Sequence, residues 1–95
     1  MFGKTKMTIE QRLEEVKARI TDNWKNIDCS EDWNYLILEC HEKLMEIDPN
    51  YTIFQIKEKF GGLRFYFDTI TTKRSEMQTI VNQFETASFD VPHKH

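Results

Sequence analysis

The segment KEKFGGLRFYF, residues 57–67, decides the fold, because its double glycine lies between two stretches with strand-like alternation. Successive side chains of a β-strand point to opposite faces of the sheet. After the glycines, apolar residues share one face and polar residues the other: Leu63, Phe65 and Phe67 against Arg64, Tyr66 and Asp68. This pattern predicts a β-hairpin with strands from Tyr51 to Phe60 and from Leu63 to Thr69.

The pairing of the two strands depends on the length of the turn. A turn of the two glycines alone would place Ile56 opposite Phe67. A four-residue loop over 59–62 would instead place Ile56 opposite Phe65, and Phe54 opposite Phe67. The longer loop matches more apolar pairs and is the favoured register. Because a lone hairpin is marginal in water, we expect it to pack on helices or to gain a third strand, from this chain or from a dimer partner.

A helical pattern precedes the hairpin at the start of the chain. Apolar residues recur there at steps of three or four: Ile9, Leu13, Val16, Ile20, Trp24 and Ile27. Such a stripe is typical of a helix with one buried face. Thr8 and Gln11 match a capping box, in which two side chains satisfy orphan backbone N–H groups. We therefore predict a first helix from about Thr8 to Ile27.

Two further helices are predicted, one before and one after the hairpin. The second follows a short break and begins at Ser30, a good N-cap residue. It ends at Asp48-Pro49-Asn50, because the residue before a proline is driven out of the helical conformation. The third helix runs from about Lys73 to Ser88. The order helix, helix, strand, strand, helix predicts an α+β fold.

Composition excludes several classes of protein. The 95 residues have room for one core, so we predict a single domain over 1–95 with tails at 1–7 and 89–95. No apolar run approaches the roughly 20 residues that span a bilayer, and 13% aromatic residues argue against disorder. A net charge of -3 is unlike that of a general nucleic-acid binder. With no signal peptide visible, Cys29 and Cys40 are expected to be reduced thiols in a cytoplasm.

The charge is divided between two neighbouring segments. Residues 28–48 carry seven acids and one lysine, a balance of -6, whereas residues 51–74 carry five bases and two acids, a balance of +3. One reading is that the two segments neutralise each other within the fold. The other is an anion site, because arginine suits phosphate, tyrosine offers a stacking face and glycine amides can approach a ligand. The predicted ligand-binding residues are Lys57, Lys59, Gly61, Gly62, Arg64 and Tyr66.

Other functions have less support in the sequence. The main alternative is a protein–protein inhibitor that uses the acidic second helix through Glu39, Glu42 and Glu46. A small metal-dependent hydrolase that relies on Glu58 or Asp68 ranks lower. No catalytic triad or dyad has a recognisable context, so we predict no enzyme activity. The available metal-ligand types lack standard spacing, so we predict neither a metal nor a cofactor; they are Cys29, Cys40, His41, His93 and His95.

The hairpin block also resembles a family of small uncharacterised bacterial and bacteriophage proteins. The shared core of that family reads C-x-x-x-W, then L-I-x-x-x-C, then I-D-P, then Q-(I/V)-K-E-K-F-G-G-L-R-F-Y. This chain matches it at Cys29–Trp33, Ile47–Pro49 and Gln55–Tyr66, and it has the Leu36-Ile37 and Cys40 positions with two residues between Ile37 and Cys40 instead of three. Many such proteins continue into a C-x-x-C tail that looks zinc-binding, whereas residues 89–95 here contain no cysteine. A zinc role is therefore not expected.

The resemblance implies a phage origin but brings no established activity. Together with the basic hairpin, it predicts a small non-catalytic binding protein in the host bacterial cytoplasm. We expect that protein to act on host physiology or host defence by capturing an anionic ligand, such as a nucleotide, or a host protein. The open edges of a two-stranded hairpin further predict a homo-oligomer.

Overall fold

The computed structural model describes residues 8–21 and 25–91 and confirms the α+β fold. A three-stranded sheet has the order β1-β2-β3, with β1 parallel and β3 antiparallel to the central strand β2. A 3₁₀ turn over Glu31–Trp33 precedes the second helix. The elements are α1 (Ile9–Ala18), β1 (Ile27–Asp28), α2 (Asn34–Ile47), β2 (Thr52–Lys59), β3 (Gly62–Asp68) and α3 (Arg74–Ser88). The third strand therefore comes from this chain itself.

The first helix is shorter than predicted, because the residues that directly follow it, 19–21, pair with the sheet. The capping box at Thr8 is present, but α1 ends at Ala18 rather than at Ile27. Beyond it, the N–H of Thr21 donates to the carbonyl of Ile53 over 2.7 Å, and the Ile53 N–H donates to the Arg19 carbonyl over 3.0 Å. Pairing with β2 thus replaces helical hydrogen bonds. Ile27 belongs to β1, and the predicted core residue Trp24 lies outside the described residues.

The other helix boundaries agree with the sequence. The Ser30 side chain accepts a hydrogen bond from the Asp32 N–H over 3.1 Å and caps the 3₁₀ turn that leads into α2. The second helix ends at Ile47, and Asp48 before the proline is extended. The third helix begins at Arg74, one residue later than predicted, and ends at Ser88, as predicted. The signals at Ser30 and Asp48-Pro49 therefore place the segment that contains α2, and the apolar spacing places α3.

The favoured hairpin register is confirmed at the turn and wrong near the start of β2. Ile56 lies opposite Phe65, as in the favoured register, but Lys59 pairs with Gly62, so the loop itself has two residues, Phe60 and Gly61, rather than the predicted four. A bulge at Phe54 then shifts the pairing, so that Phe67 lies opposite Ile53 instead of Phe54. The extra residue keeps Ile53 buried and leaves the Phe54 side chain 55% exposed. One inserted residue therefore brings an aromatic ring out of the core.

The core lies between the sheet and the helices. Its sheet side consists of the buried residues Ile53, Ile56, Leu63, Phe65 and Phe67, and its helix side includes Val16, Ile37, Leu44, Met77 and Val81. Trp33 and Tyr51 are the largest fully buried side chains. Because strand side chains alternate, the opposite face of the sheet carries Lys57, Arg64 and Tyr66. Among the described residues, no helix combines the length and apolar character needed to cross a bilayer.

The outer edge of β3 is closed in part by side chains of α3. The Leu63 N–H donates to Ser88 Oγ over 2.9 Å, and the Phe65 N–H donates to Glu85 Oε2 over 2.9 Å. Backbone amides at these two positions are therefore not available to a neighbouring strand. On the other side, β1 pairs with β2. The open edges on which the predicted homo-oligomer depended are thus partly covered, and self-association stays a prediction.

Candidate functional site

The structure brings three of the predicted ligand-binding side chains together on the sheet face opposite the core. Lys57 lies directly opposite Arg64 in the ladder. Tyr66 follows on the same face of β3, and its ring centroid lies 5.9 Å from Lys57 Nζ. Two like charges placed opposite each other repel across a strand pair. An anion near this face would relieve that repulsion.

The two glycines have structural roles in the hairpin. Both central residues of the turn, Phe60 and Gly61, have positive φ angles of 55° and 82°, as a type I′ turn requires. The Gly61 N–H donates to Glu58 Oε2 over 2.9 Å, within the hairpin. Gly62 is covered by Phe89, since a Cβ on Gly62 would lie 2.3 Å from Cζ of that ring. The Gly61 N–H therefore already has an acceptor within the hairpin, and the surface at Gly62 is covered by a side chain.

A groove runs along the outer edge of β3 beside α3. Its cavity volume is about 430 Å³, and we call it the Arg64 groove; its lining includes Lys59, Phe60, Arg64, Tyr66, Gln78 and Glu85. Two exposed aromatic rings and two cations thus border one concave surface. Phe60 is 85% exposed and Tyr66 is 38% exposed. The side chains in this groove can offer both charge and a stacking face.

Glu85 is the charged residue of this groove that the sequence did not single out. Its Oε1 lies 3.9 Å from Arg64 Nη1, whereas its Oε2 accepts the 2.9 Å hydrogen bond from Phe65 N–H. The contact with Arg64 is longer than a hydrogen bond, and the contact with the backbone is not. Glu85 is therefore held mainly by β3. In the sequence it looks like an ordinary polar residue of an amphipathic helix, which gives no sign of a role at the sheet edge.

A second groove lies on the sheet face around Phe54 and shares Tyr66 with the first. Its cavity volume is about 580 Å³, and its lining includes Phe54, Gln55, Lys57, Tyr66 and Asp68. Asp68 forms an ion pair with Arg74. The hydrogen bond from Arg74 lowers the pKa of that carboxyl, so Asp68 stays ionised. The second groove is thus lined by one cation, Lys57, and one carboxylate, whereas the Arg64 groove is lined by two cations and one carboxylate, so the lining of the Arg64 groove is the more positive of the two.

The acidic residues of the alternative site lie on the exposed side of α2. Glu39, Glu42 and Glu46 are all exposed. Glu42 forms an ion pair with Arg12 of α1. One of the three carboxylates therefore already has a cation beside it within the fold, which weakens the acidic patch as a surface for a basic partner.

The residues singled out for metal binding or hydrolysis are placed as follows in the described part of the chain. Burial raises the pKa of Cys29 and of Cys40 to about 12, so both thiols are protonated and weakly nucleophilic at neutral pH. Within 8–21 and 25–91, no three cysteine, histidine or acidic side chains lie close enough to hold a metal ion. Of the proposed hydrolase residues, Glu58 contacts the turn and Asp68 contacts Arg74. His93 and His95 lie outside the described residues.

Histidine 41 belongs to a separate, buried polar cluster. Its Nδ1 shares a 2.6 Å hydrogen bond with the hydroxyl of Tyr51. The guanidinium of Arg19 lies 4.9 Å from the centre of the Tyr51 ring and donates to the Tyr51 carbonyl over 2.6 Å. Burial and then the nearby Arg19 charge lower the pKa of His41. This cluster connects the end of α1, the helix α2 and the residue that precedes β2, and its His41 and Tyr51 side chains are buried.

Comparison with family models, with curated proteins and with solved structures gave no match. The geometry of the Arg64 groove is therefore the basis on which a function can be argued.

Proposed function

We propose that the protein is a non-catalytic binding module that captures an anionic ligand with a planar ring, such as a nucleotide, in the Arg64 groove. The observation that carries this proposal is the convergence of Lys59, Arg64 and Tyr66 around one cavity. A guanidinium offers a planar fork of donors that matches phosphate. An exposed aromatic ring offers a surface on which a base stacks. These groups suit the two halves of a nucleotide.

The Glu85 carboxylate beside Arg64 is compatible with a ligand on that arginine. At 3.9 Å from Glu85, the guanidinium is held weakly, and its side chain is 31% exposed. If Arg64 turns towards a phosphate, Glu85 keeps its hydrogen bond from the Phe65 N–H. The exchange therefore leaves no carboxylate without a donor. Glu85 still repels an anion, so its charge should lower the affinity of the groove.

Isothermal titration calorimetry with AMP, GMP, CMP and UMP tests this proposal. We expect at least one nucleotide to bind. Arg64→Gln should weaken that binding about 10-fold or more, because it removes a charge-assisted hydrogen bond. Lys59→Gln should weaken it less, and the matched control Lys43→Gln should leave it unchanged, since Lys43 is an exposed residue of α2 that does not line the groove. Lack of binding to every nucleotide would contradict the proposal.

The biological setting that we propose follows the resemblance of the hairpin block. The protein would be phage-encoded and would act in the host bacterial cytoplasm, as an inhibitor or as a nucleotide sponge directed at host physiology or defence. A sponge must keep its ligand through purification. Mass spectrometry of small molecules released from the protein purified from bacterial cells should therefore detect a nucleotide, and Arg64→Gln should lose it. Light scattering on the same sample measures the proposed homo-oligomer.

A protein–protein inhibitor that uses α2 is the second candidate, because Glu39 and Glu46 are exposed beside Glu42 on that helix. The two proposals predict opposite results. Reversing the charge at Glu39 and Glu46 would abolish capture of a basic host protein, whereas Arg64→Gln would leave that capture intact. Nucleotide binding that survives Glu39→Lys with Glu46→Lys, and that Arg64→Gln removes, would favour the groove.

A further inference from the structure

The backbone of Phe60 is in a conformation that bulky residues avoid. Its φ angle is 55°, in the left-handed region where the Cβ crowds the following carbonyl. The first central residue of a type I′ turn is usually asparagine, aspartate or glycine, which tolerate that region. A phenylalanine here is a true outlier. The hairpin would form with less strain if another residue occupied this position.

The side chain of Phe60 does not compensate for this strain by burial. It is 85% exposed, so it removes little apolar surface from water. Phe89, which is 55% exposed, differs in that its ring packs against Gly62. The Phe60 ring faces Lys59, whose Nζ lies 5.6 Å from the ring centroid. Phe60 thus combines a strained backbone with a solvent-exposed ring at the mouth of the Arg64 groove.

Strained residues that the fold does not need tend to occur at functional sites. We infer that Phe60 is the stacking residue of the Arg64 groove: its ring covers the planar ring of the ligand while Lys59 and Arg64 hold the anionic group. This inference rests on the proposed function and narrows the ligand to a phosphate joined to a flat heterocycle. A phosphate without a ring, or a ring without a phosphate, would satisfy half of the site.

The test compares three probes on the full chain: the best-binding nucleoside monophosphate, its nucleoside and inorganic phosphate. The monophosphate should bind the wild-type protein more tightly than either fragment. Phe60→Leu keeps an apolar side chain on a strained backbone but removes the ring, and it should weaken monophosphate binding about 5- to 150-fold, the range for one base–aromatic stack. Phe60→Trp should retain binding. Tyr35→Leu, at an exposed ring on α2, is the matched control and should change nothing.

Phe60→Asn separates the role in binding from the role in folding. Asparagine tolerates the left-handed region, so this variant should melt about 4 °C or more above the wild-type protein while binding the monophosphate as weakly as Phe60→Leu does. A loss of affinity with a gain in melting temperature cannot come from damage to the fold. The variant therefore keeps the test valid even if Phe60→Leu folds poorly.

The outcomes distinguish this inference from the proposal beneath it. If the wild-type protein binds no monophosphate, the proposed function fails and the inference fails with it. Suppose that the wild-type protein binds the monophosphate and that Arg64→Gln weakens this binding, but that Phe60→Leu and Phe60→Asn bind as tightly as wild type. The groove is then supported as the binding site, and the role of Phe60 is overturned. Binding of inorganic phosphate as tightly as the monophosphate would overturn the role of Phe60 as well. If the wild-type protein binds no nucleotide but binds vesicles of anionic phosphatidylserine, and Phe60→Leu loses vesicle binding, the ring contacts a membrane surface and the inference is overturned.

Discussion

The buried cluster of Arg19, His41 and Tyr51 and the Arg64 groove each contain an arginine beside an aromatic ring, yet they are built differently. Arg19 donates to the Tyr51 carbonyl over 2.6 Å and to the Pro49 carbonyl over 2.8 Å. Arg64 Nη1 lies 3.9 Å from Oε1 of Glu85. The first arginine is held by two short hydrogen bonds that join the end of α1 to the loop between α2 and β2, whereas the second makes a longer contact and its side chain is 31% exposed. The comparison indicates which arginine serves the fold and which one is available to a ligand.

The largest expected effect is the loss of stability in Arg19→Ala. This change removes two short charge-assisted hydrogen bonds and a cation–π contact, so we expect the free energy of unfolding to fall by about 2–4 kcal/mol. Arg12→Ala, within the helix that Arg19 follows, is the control, because Arg12 makes an exposed ion pair with Glu42 and its loss should cost about 1 kcal/mol or less. Urea unfolding measures both. Equal losses would show that Arg19 is no more structural than a surface arginine.

The next effect concerns the β3 edge and separates the two roles of Glu85. Glu85→Ala leaves the Phe65 N–H without its acceptor and should cost about 1–2 kcal/mol. Glu85→Gln keeps an acceptor oxygen but removes the charge, so it should cost less. The same variant should bind the nucleotide more tightly, because it removes repulsion from the groove. Weaker binding by Glu85→Gln would show that Glu85 contacts the ligand as an acceptor, which would change the chemistry assigned to the site.

The pH dependence of stability comes from the buried cluster. Burial, followed by the charge of Arg19, places the pKa of His41 below its ordinary value of about 6.5, with Arg12 acting in the same direction and Glu15 and Glu42 acting against it. The unfolded chain therefore binds a proton at a higher pH than the folded protein does. Neutral His41 therefore makes its full contribution to the free energy of unfolding above about pH 6.5. That contribution is lost as the pH falls towards the pKa of His41 in the folded protein.

Urea unfolding between pH 5 and pH 8 measures this dependence. We expect a fall in stability below about pH 6.5 in the wild-type protein and a flatter profile in His41→Gln. Asp68 acts in a separate window, because the hydrogen bond from Arg74 lowers its pKa and its contribution is lost only below the ordinary carboxyl range. Asp68→Asn therefore serves as the control and should keep the fall below pH 6.5. An unchanged slope in His41→Gln would assign the pH dependence to another group.

The sequence predicted elements whose signals are local and missed those that depend on distant pairing. Ser30 and Asp48-Pro49 mark both ends of the second helix within a few residues of the helix itself, and the structure agrees. Ile20 and Ile27 fit a helical stripe equally well, but their backbones pair with β2. Apolar spacing alone does not distinguish a helix from short strands at a sheet edge. Only the position of β2 decides it, and a single sequence does not show that position.

The candidate site shows the same division. Arg64 and Tyr66 could be found from the alternation in β3, because neighbours on one strand face are fixed by that period. Glu85 could not, since its contact with β3 depends on how α3 packs. Phe60 was assigned to the end of a strand, although a residue followed by glycine at a hairpin tip is a pattern of a type I′ turn. The sequence therefore contained a signal for a strained turn, a phenylalanine directly before the first glycine, but the alternation of apolar residues does not reveal it.

The smallest expected effect is that of Lys57→Ala, and it tests whether the sheet face opposite the core contributes to the fold. Lys57 lies opposite Arg64 and within 5.9 Å of the Tyr66 ring, so its removal relieves one repulsion and loses one weak attraction. We expect the free energy of unfolding to change by about 0.5 kcal/mol or less in either direction. If urea unfolding shows that the free energy of unfolding falls by more than about 1 kcal/mol, Lys57 makes structural contacts of the kind that Arg19 makes. The contrast between a structural arginine cluster and an adaptable charged face would then no longer hold for this sheet.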